Sequence, residues 1–335
     1  MRLGVDALNL RADERGMGRY VRRIVRELTA RPEWQVTLLV RDPAAAGAYR
    51  SIAGERAAVA PVAAARERDA FDAVWYPWNA WRFATSGPSL VTINDDFAFR
   101  FPARGLVARA REQQPIRRAV RCATRIATIS QWSRDALAER FGLDPQRIGI
   151  LPLAPDPWFV PDAEPSPFAE PFVLFVGGGE RRKNLTCLLA AFGLAFPGRA
   201  VRLVVAGNVD AAASYPLTVI RRADDTQLRT LYRTARAVAV PSLAEGFGLV
   251  VTEAQACGTA VIAADAGAVR EAGGEAALFV DPLHVADWAA GLATIVGDDA
   301  ENARLRAASS ARWATAPRDG ATGALVSLLE ELTQA

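Results

Sequence analysis

Two rhythms of apolar and polar positions alternate along this chain. Short apolar runs rich in β-branched residues stand at Arg2 to Ala7, Gln35 to Val40, Ala73–Tyr76, Leu90–Ile93 and Arg125–Ile129. Such runs, bounded by turn formers, read as strands. Between them, apolar positions spaced three and four apart predict helices from Gly18 to Ala30 and from about Ser133 to Phe141. The alternation restarts after residue 171, with strands at Phe172–Val176, Val201–Ala206, Ala237–Val240 and Ala260–Ala264. Helices are expected there at Asn184–Phe196, Thr226–Arg236 and about Gly248–Ala256, and a last one at about Gly323–Leu332. Alternating βα units build parallel sheets covered by helices.

Seven prolines lie between residues 151 and 171. That density can continue neither a helix nor a central strand, so it marks a linker. The pattern therefore predicts an α/β chain of two Rossmann-like domains facing a cleft. Residues 1–158 form the first domain, 159–171 the linker and 172–318 the second, and 319–335 form a helix that packs back on the first. A length of 335 residues suits two such cores. Ligands of open α/β sheets bind beyond the carboxyl ends of strands, so chemistry is expected in the loops that follow them.

Composition narrows the setting. Hydrophobic content of 51% and charged content of 23% are those of a soluble globular protein. No run of eighteen apolar residues exists, and Met1 to Asp6 enters a strand directly without a signal-peptide layout. Three widely spaced cysteines, Cys122, Cys187 and Cys257, fit reduced thiols, so a cytoplasmic protein is expected. The net charge of +3 hides an asymmetry. Residues 1–160 carry 25 arginines against 17 acids, a net +8, and the remainder carries −5. An anionic partner for the first half follows from that excess. Within it, Arg100 to Arg125 holds eight arginines and one acid among apolar residues. This reads either as a solvated helix face or as a basic amphipathic helix that touches an anionic membrane surface or a phosphorylated acceptor. No nucleic-acid-binding module accompanies the basic residues, so nucleic acid is not expected as a partner.

The densest chemical signal is Pro241-Ser-Leu-Ala-Glu-Gly-Phe-Gly-Leu-Val-Val-Thr-Glu253. A strand, a glycine turn and a helix start together make an anion site, because the first N–H groups of a helix are unpaired and carry partial positive charge. Glu245 and Glu253 flank that turn and would repel a bare phosphate, so they suit the hydroxyls of a sugar and a ribose. A second strand-to-glycine turn, Val176-Gly-Gly-Gly-Glu-Arg-Arg-Lys-Asn184, adds Arg182 and Lys183, the only lysine of the chain. Mobile cations beside a permissive backbone are what a diphosphate leaving group needs. The spacing is not that of a Walker loop. A third glycine loop, Arg15-Gly16-Met17-Gly18-Arg19-Tyr20, lacks the third glycine of the dinucleotide fingerprint. Clustered aromatics at Trp75, Tyr76, Trp78, Trp81 and Phe83 either line an acceptor pocket or fill a loop core. The single His284 reads as a surface or capping residue, which leaves no histidine-based acid–base site.

Taken in order, these segments resemble the family 4 retaining glycosyltransferases of the GT-B fold (glycosyl transferases group 1). The likeness runs from the Gly-Met-Gly-Arg-Tyr loop through Thr92-Ile-Asn-Asp95, Ile129-Ser-Gln-Trp-Ser133 and the Arg-Lys-Asn184 turn to Ala276-Ala-Leu-Phe-Val-Asp-Pro282. The Glu-x7-Glu spacing of Glu245 and Glu253 is its specific element. The resemblance implies that Glu245 contacts the donor sugar and Glu253 the ribose. Gly178, Gly246 and the N–H groups of Phe247, Gly248 and Leu249 would hold the donor. Arg182 and Lys183 would neutralise the departing diphosphate without a metal, and Gly16 and Gly18 would let the first domain close over it. Asn94 and Asp95 fall on the sugar or acceptor side. Asn94 stands where such enzymes usually have a histidine; an amide can donate to a hydroxyl but cannot shuttle a proton.

The implied activity is transfer of a hexose, with a mannose-like sugar favoured by the first loop, from a nucleotide sugar to a glycan, lipid-linked or other hydroxyl acceptor. Polysaccharide or glycoconjugate biosynthesis at the inner face of a membrane is the context. A GT-B-like nucleotide-sugar epimerase and a non-catalytic nucleotide-binding scaffold are the alternatives.

Overall fold

A computed structural model describes residues 1–13, 16–198, 200–314, 316 and 320–334. The chain divides into two compact units, Met1–Leu153 together with Asp319–Ala335, and Ala154–Arg318. The division falls between Leu153 and Ala154, so all of those prolines but Pro152 belong to the second unit.

The first unit holds a seven-stranded parallel sheet of β1 (Arg2–Asp6), β2 (Gln35–Val40), β3 (Ala58–Pro61), β4 (Ala73–Tyr76), β5 (Ser89–Thr92), β6 (Arg125–Thr128) and β7 (Ile148–Ile150). Their order is β3-β2-β1-β4-β5-β6-β7. Helices α1 (Gly16–Ala30), α2 (Ala46–Ala53), α3 (Phe97–Arg100), α4 (Leu106–Cys122) and α5 (Gln131–Phe141) connect them. One face of the sheet buries Tyr76, Trp81, Phe83, Val91, Ile126 and Leu137 in a common core. Tyr76 stacks on Trp81 with ring centroids 5.2 Å apart, so these aromatics fill a loop core.

The second unit repeats the plan with β8 (Phe172–Val176), β9 (Arg202–Ala206), β10 (Leu217–Ile220), β11 (Ala237–Val240), β12 (Val261–Ala264) and β13 (Ala277–Val280). The order is β10-β9-β8-β11-β12-β13, all parallel. Its helices are α6 (Leu185–Ala195), α7 (Asp225–Thr234), α8 (Leu249–Ala256), α9 (Val269–Gly273), α10 (Val285–Gly297) and α11 (Asp299–Ala314). Side chains alternate across a strand. Phe172 and Leu174 therefore enter one core with Tyr232, Val240 and Val251, while Val173 and Phe175 enter another with Phe192, Ile262 and Trp288. Burial on both faces is why these strands read as continuous apolar runs.

The last helix, α12 (Gly320–Gln334), belongs to the first unit. It closes so tightly on β7 that a Cβ at Gly149 would lie 2.4 Å from the Leu328 side chain. Among the described residues no helix is long and apolar enough to cross a membrane.

Candidate active site

In the second sheet the chain leaves β8, builds outward through β9 and β10, then returns to β11 on the other side. The neighbours β8 and β11 thus send their following loops in opposite directions, which opens a crevice at their carboxyl ends. The loop after β8 carries Arg182 and Lys183, and the loop after β11 carries Glu245. Backbone bonds lock the two loops together: the Leu243 N–H donates to the Arg182 carbonyl at 2.7 Å. Asn184, in the left-handed region at φ 53°, donates its side-chain amide to the carbonyls of Pro241 (3.1 Å) and Pro282 (2.8 Å). One amide thereby clips the exits of β8, β11 and β13.

Held this way, three of the expected residues meet. The Lys183 ammonium donates to Glu245 Oε1 at 2.6 Å and the Arg182 guanidinium to Oε2 at 3.1 Å. The buried Ser242 hydroxyl also donates to Oε1, at 2.6 Å. Burial works to raise the Glu245 pKa, but the charges of Lys183 and Arg182 with the bonds from Lys183 and Ser242 outweigh it, and the carboxyl sits below its ordinary range. Gly267 presses on the backbone of Glu245 from the β12 exit. At φ +61° a Cβ there would lie 2.7 Å from both the N and O of Glu245.

Gly246, Phe247 and Gly248 lead from Glu245 into α8. Gly248, at φ 107°, is its N-cap, and the helix has no side-chain cap. The turn that follows β8 is equally tight, since a Cβ on Gly207 would strike the Gly177 carbonyl at 1.8 Å. Gly178 is less constrained, its nearest neighbour being the flexible Glu180 carboxylate. Glu253, in the second turn of α8, is buried, and its Oε2 accepts the Tyr232 hydroxyl at 2.9 Å.

In the first unit Gly16 and Gly18 lie in the opening turn of α1, which begins two residues before the helix start expected at Gly18. The Asp13 carbonyl, 1.7 Å from a Cβ built on Gly18, explains why only glycine fits there. Arg15 lies outside the described residues. Asn94, just beyond β5, is buried; its N–H donates to Asn79 Oδ1 at 2.7 Å, and its own Oδ1 has no hydrogen-bond partner among the described residues. Asp95 accepts the Phe97 N–H at 3.0 Å. Asp96 is fully buried and ion-paired on both oxygens, with Arg100 at 3.3 Å and Arg140 at 2.8 Å. His284 is exposed at the cap position of α10 and makes no capping bond.

Residues 158–312 match the model of the glycosyl transferases group 1, and residues 15–157 that of glycosyltransferase family 4. The chain belongs to the family 4 glycosyltransferases. It is 38% identical over 188 residues to the D-inositol 3-phosphate glycosyltransferase of Rhodococcus opacus, which covers 52% of this chain and 39% of that protein. The enzyme of the same name from Corynebacterium glutamicum is 31% identical over 211 residues, 54% of this chain and 50% of its own length. The chain thus spans half or less of these curated relatives. Among solved structures, a sucrose-phosphate synthase from Thermosynechococcus elongatus has a TM-score of 0.73 at 19% identity, covering 100% of this chain and 99% of that one. HepE of Anabaena, solved with UDP and glucose, gives 0.73 at 17% identity with the same coverage. These likenesses show the fold, which is GT-B: two Rossmann-like units, each a parallel sheet with its helices.

Sequence reasoning missed Ser242, Asn184, Gly267 and Tyr232 as supports of this family 4 site, and missed Asp6 altogether. Asp6 ends β1 beside β4, the switch point of the first sheet, and is fully buried. Its Oδ1 accepts the Leu8 N–H at 3.0 Å, while Oδ2 has no hydrogen-bond partner among the described residues. Burial pushes its carboxyl up to about 6 against the lowering effects of Leu8, Arg82 and Arg41. A raised pKa stabilises the fold at low pH, fully below the unfolded value near 4, and that contribution is lost as pH rises to about 6. Stability in urea is expected to fall by about 3 kcal/mol over that window through this group. Asp6→Asn should flatten the slope; an unchanged slope would refute the assignment.

Proposed function

We propose that this chain is a retaining glycosyltransferase that moves a hexose from a nucleotide-sugar donor to a hydroxyl acceptor. The observation that carries the reading is the Glu245–Lys183–Arg182 cluster at the switch point of the second sheet, beside the uncapped start of α8. Two cations within reach of a helix N-terminus suit a diphosphate, and a carboxylate between them suits sugar hydroxyls.

We assign donor binding to the second unit, with Glu253 on the ribose and the N–H groups of Phe247, Gly248 and Leu249 on phosphate or sugar. Gly16 and Gly18 of the first unit are assigned to donor binding as well, and Asn94 and Asp95 to the sugar or acceptor side. In the reaction the anomeric carbon–phosphate oxygen bond breaks, and the acceptor oxygen bonds that carbon from the same face. The acceptor proton passes to the departing phosphate, whose charge Lys183 and Arg182 offset in place of a metal.

The test is a thermal-shift panel of UDP, GDP, dTDP and ADP, followed by turnover of the matching glucose and mannose donors with EDTA present. The relatives' name makes an inositol phosphate a first acceptor to try, alongside glycans and lipid-linked sugars. Stabilisation by one nucleotide and a product of unchanged anomeric configuration by NMR are expected. No shift with any nucleotide would sink the reading, and binding without turnover would favour a scaffold.

The acceptor side is proposed to work at a membrane surface. At the start of α4, Leu106 and Val107 are 82% and 69% exposed and flanked by Arg104, Arg109 and Arg111. Exposed apolar residues ringed by cations suit an anionic interface, at about 1 kcal/mol per basic residue. Co-sedimentation with phosphatidylglycerol vesicles should be lost in a Leu106→Ser, Val107→Ser double variant. Equal pelleting of both proteins would refute the contact.

A further inference from the structure

We propose that Tyr232 is a positioning residue that fixes the Glu253 carboxylate for ribose binding and so sets donor affinity without touching the donor. The inference rests on the assignment of Glu253 to the ribose made above. Tyr232 is fully buried on α7, where its ring meets Phe159 edge-on with centroids 5.6 Å apart. Its hydroxyl donates to Glu253 Oε2 at 2.9 Å.

The anchor reaches further back. The Tyr232 carbonyl accepts the Thr259 hydroxyl, and the Thr259 carbonyl accepts the Ser309 hydroxyl at 3.2 Å. A chain of buried hydrogen bonds therefore runs from α11 through α7 to the carboxylate on α8. Two residues further along α8 the helix is held again: Gln255 donates to the carbonyls of Gly273 and Ala276 and accepts the Trp313 indole N–H. With helix and side chain both fixed, the carboxylate has one orientation. A group that must catch two vicinal hydroxyls gains from this, because no rotamer freedom is lost on binding. In a buried site a hydrogen bond to a charged group is worth far more than one in water.

Tyr232→Phe keeps the ring and its contact with Phe159 and deletes only the hydroxyl. For the nucleoside diphosphate that stabilises the wild-type chain most, the variant is expected to bind about tenfold more weakly. Binding of the 2′,3′-dideoxy analogue should be unchanged, so discrimination between the two falls by the same factor. Donor KM rises in step, with kcat within about twofold.

Equal weakening for both nucleotides would mean a structural role only and would overturn the proposal, as would unchanged ribose discrimination. Glu253→Gln separates this from failure of the underlying reading. If that variant loses ribose discrimination while Tyr232→Phe keeps it, the positioning role fails alone. If Glu253→Gln also leaves discrimination intact, the ribose assignment fails. Should Tyr232→Phe not fold, Thr259→Val, which frees the Tyr232 carbonyl, must show a smaller effect in the same sense; equal discrimination there refutes the network.

Discussion

Lys183→Met is expected to slow glycosyl transfer by about 10²–10³-fold, the usual cost of removing one donor from a site of developing negative charge. The aliphatic stem survives in this variant, so the change is mostly electrostatic. Affinity for the nucleoside diphosphate should fall by about ten- to a hundredfold, as expected for a lost charge-assisted hydrogen bond. A second consequence follows from the 2.6 Å bond to Glu245. Lys183 is the largest influence holding that buried carboxyl low, against the burial that raises it. A carboxylate with a depressed pKa contributes stability above its unfolded value of about 4.3, and that contribution disappears as pH falls through the folded value. Without Lys183 the folded value climbs, so the variant should begin to lose stability at a higher pH than the wild type on acidification. Thermal melts from pH 3 to 8 measure this directly. Lys183→Arg restores the charge but not the compact ammonium, and intermediate activity is expected. Full transfer by Lys183→Met would remove the residue from the reaction.

The alternation of strand and helix rhythms was enough to read two parallel-sheet units, because interior strands buried on both faces leave unbroken apolar runs. The four strands that escaped notice are β3, β7, β10 and β13, and each is at a sheet edge. An edge strand is only part-buried and its composition relaxes accordingly. Ala58–Pro61 is exposed at both ends, Ile148–Ile150 is three residues with a glycine, and all of Leu217–Ile220 is half-buried. The start of α5 slipped by two residues because the Ser130 cap, whose hydroxyl accepts the Ser133 N–H at 3.0 Å, lay just before the periodic pattern.

The site was legible where charge is conspicuous. Arg182, Lys183 and Glu245 stand out beside glycine turns, and the structure joins them. Their supports were hidden because the constraint is long-range. Gly267 looks like any turn glycine until the backbone of Glu245, twenty-two positions earlier, is seen against it. Tyr232 sits at an apolar position of a helix and reads as core, which by ring it is; only the hydroxyl faces Glu253. Asp6 ends a strand and carries no motif around it.

Glu245→Gln is expected to abolish most transfer yet bind the nucleoside diphosphate about tenfold more tightly than the wild type. In the structure the carboxylate already occupies both cations, Lys183 on one oxygen and Arg182 on the other. A diphosphate must draw these cations away, and it also feels the negative charge between them. Removing that charge ends the competition of Glu245 with phosphate while deleting the group assigned to the sugar. Stability should move the other way. Two largely buried cations lose their counter-charge, and breaking such a pair costs about 3–5 kcal/mol. The variant should therefore melt lower than the wild type and be stabilised more by added nucleotide, since ligand that binds only the folded state raises its stability in proportion to affinity. Isothermal titration and melting curves across nucleotide concentration read both effects. Weaker binding by Glu245→Gln would mean that the carboxylate holds the cations in place for phosphate, and the competition argued here would be wrong.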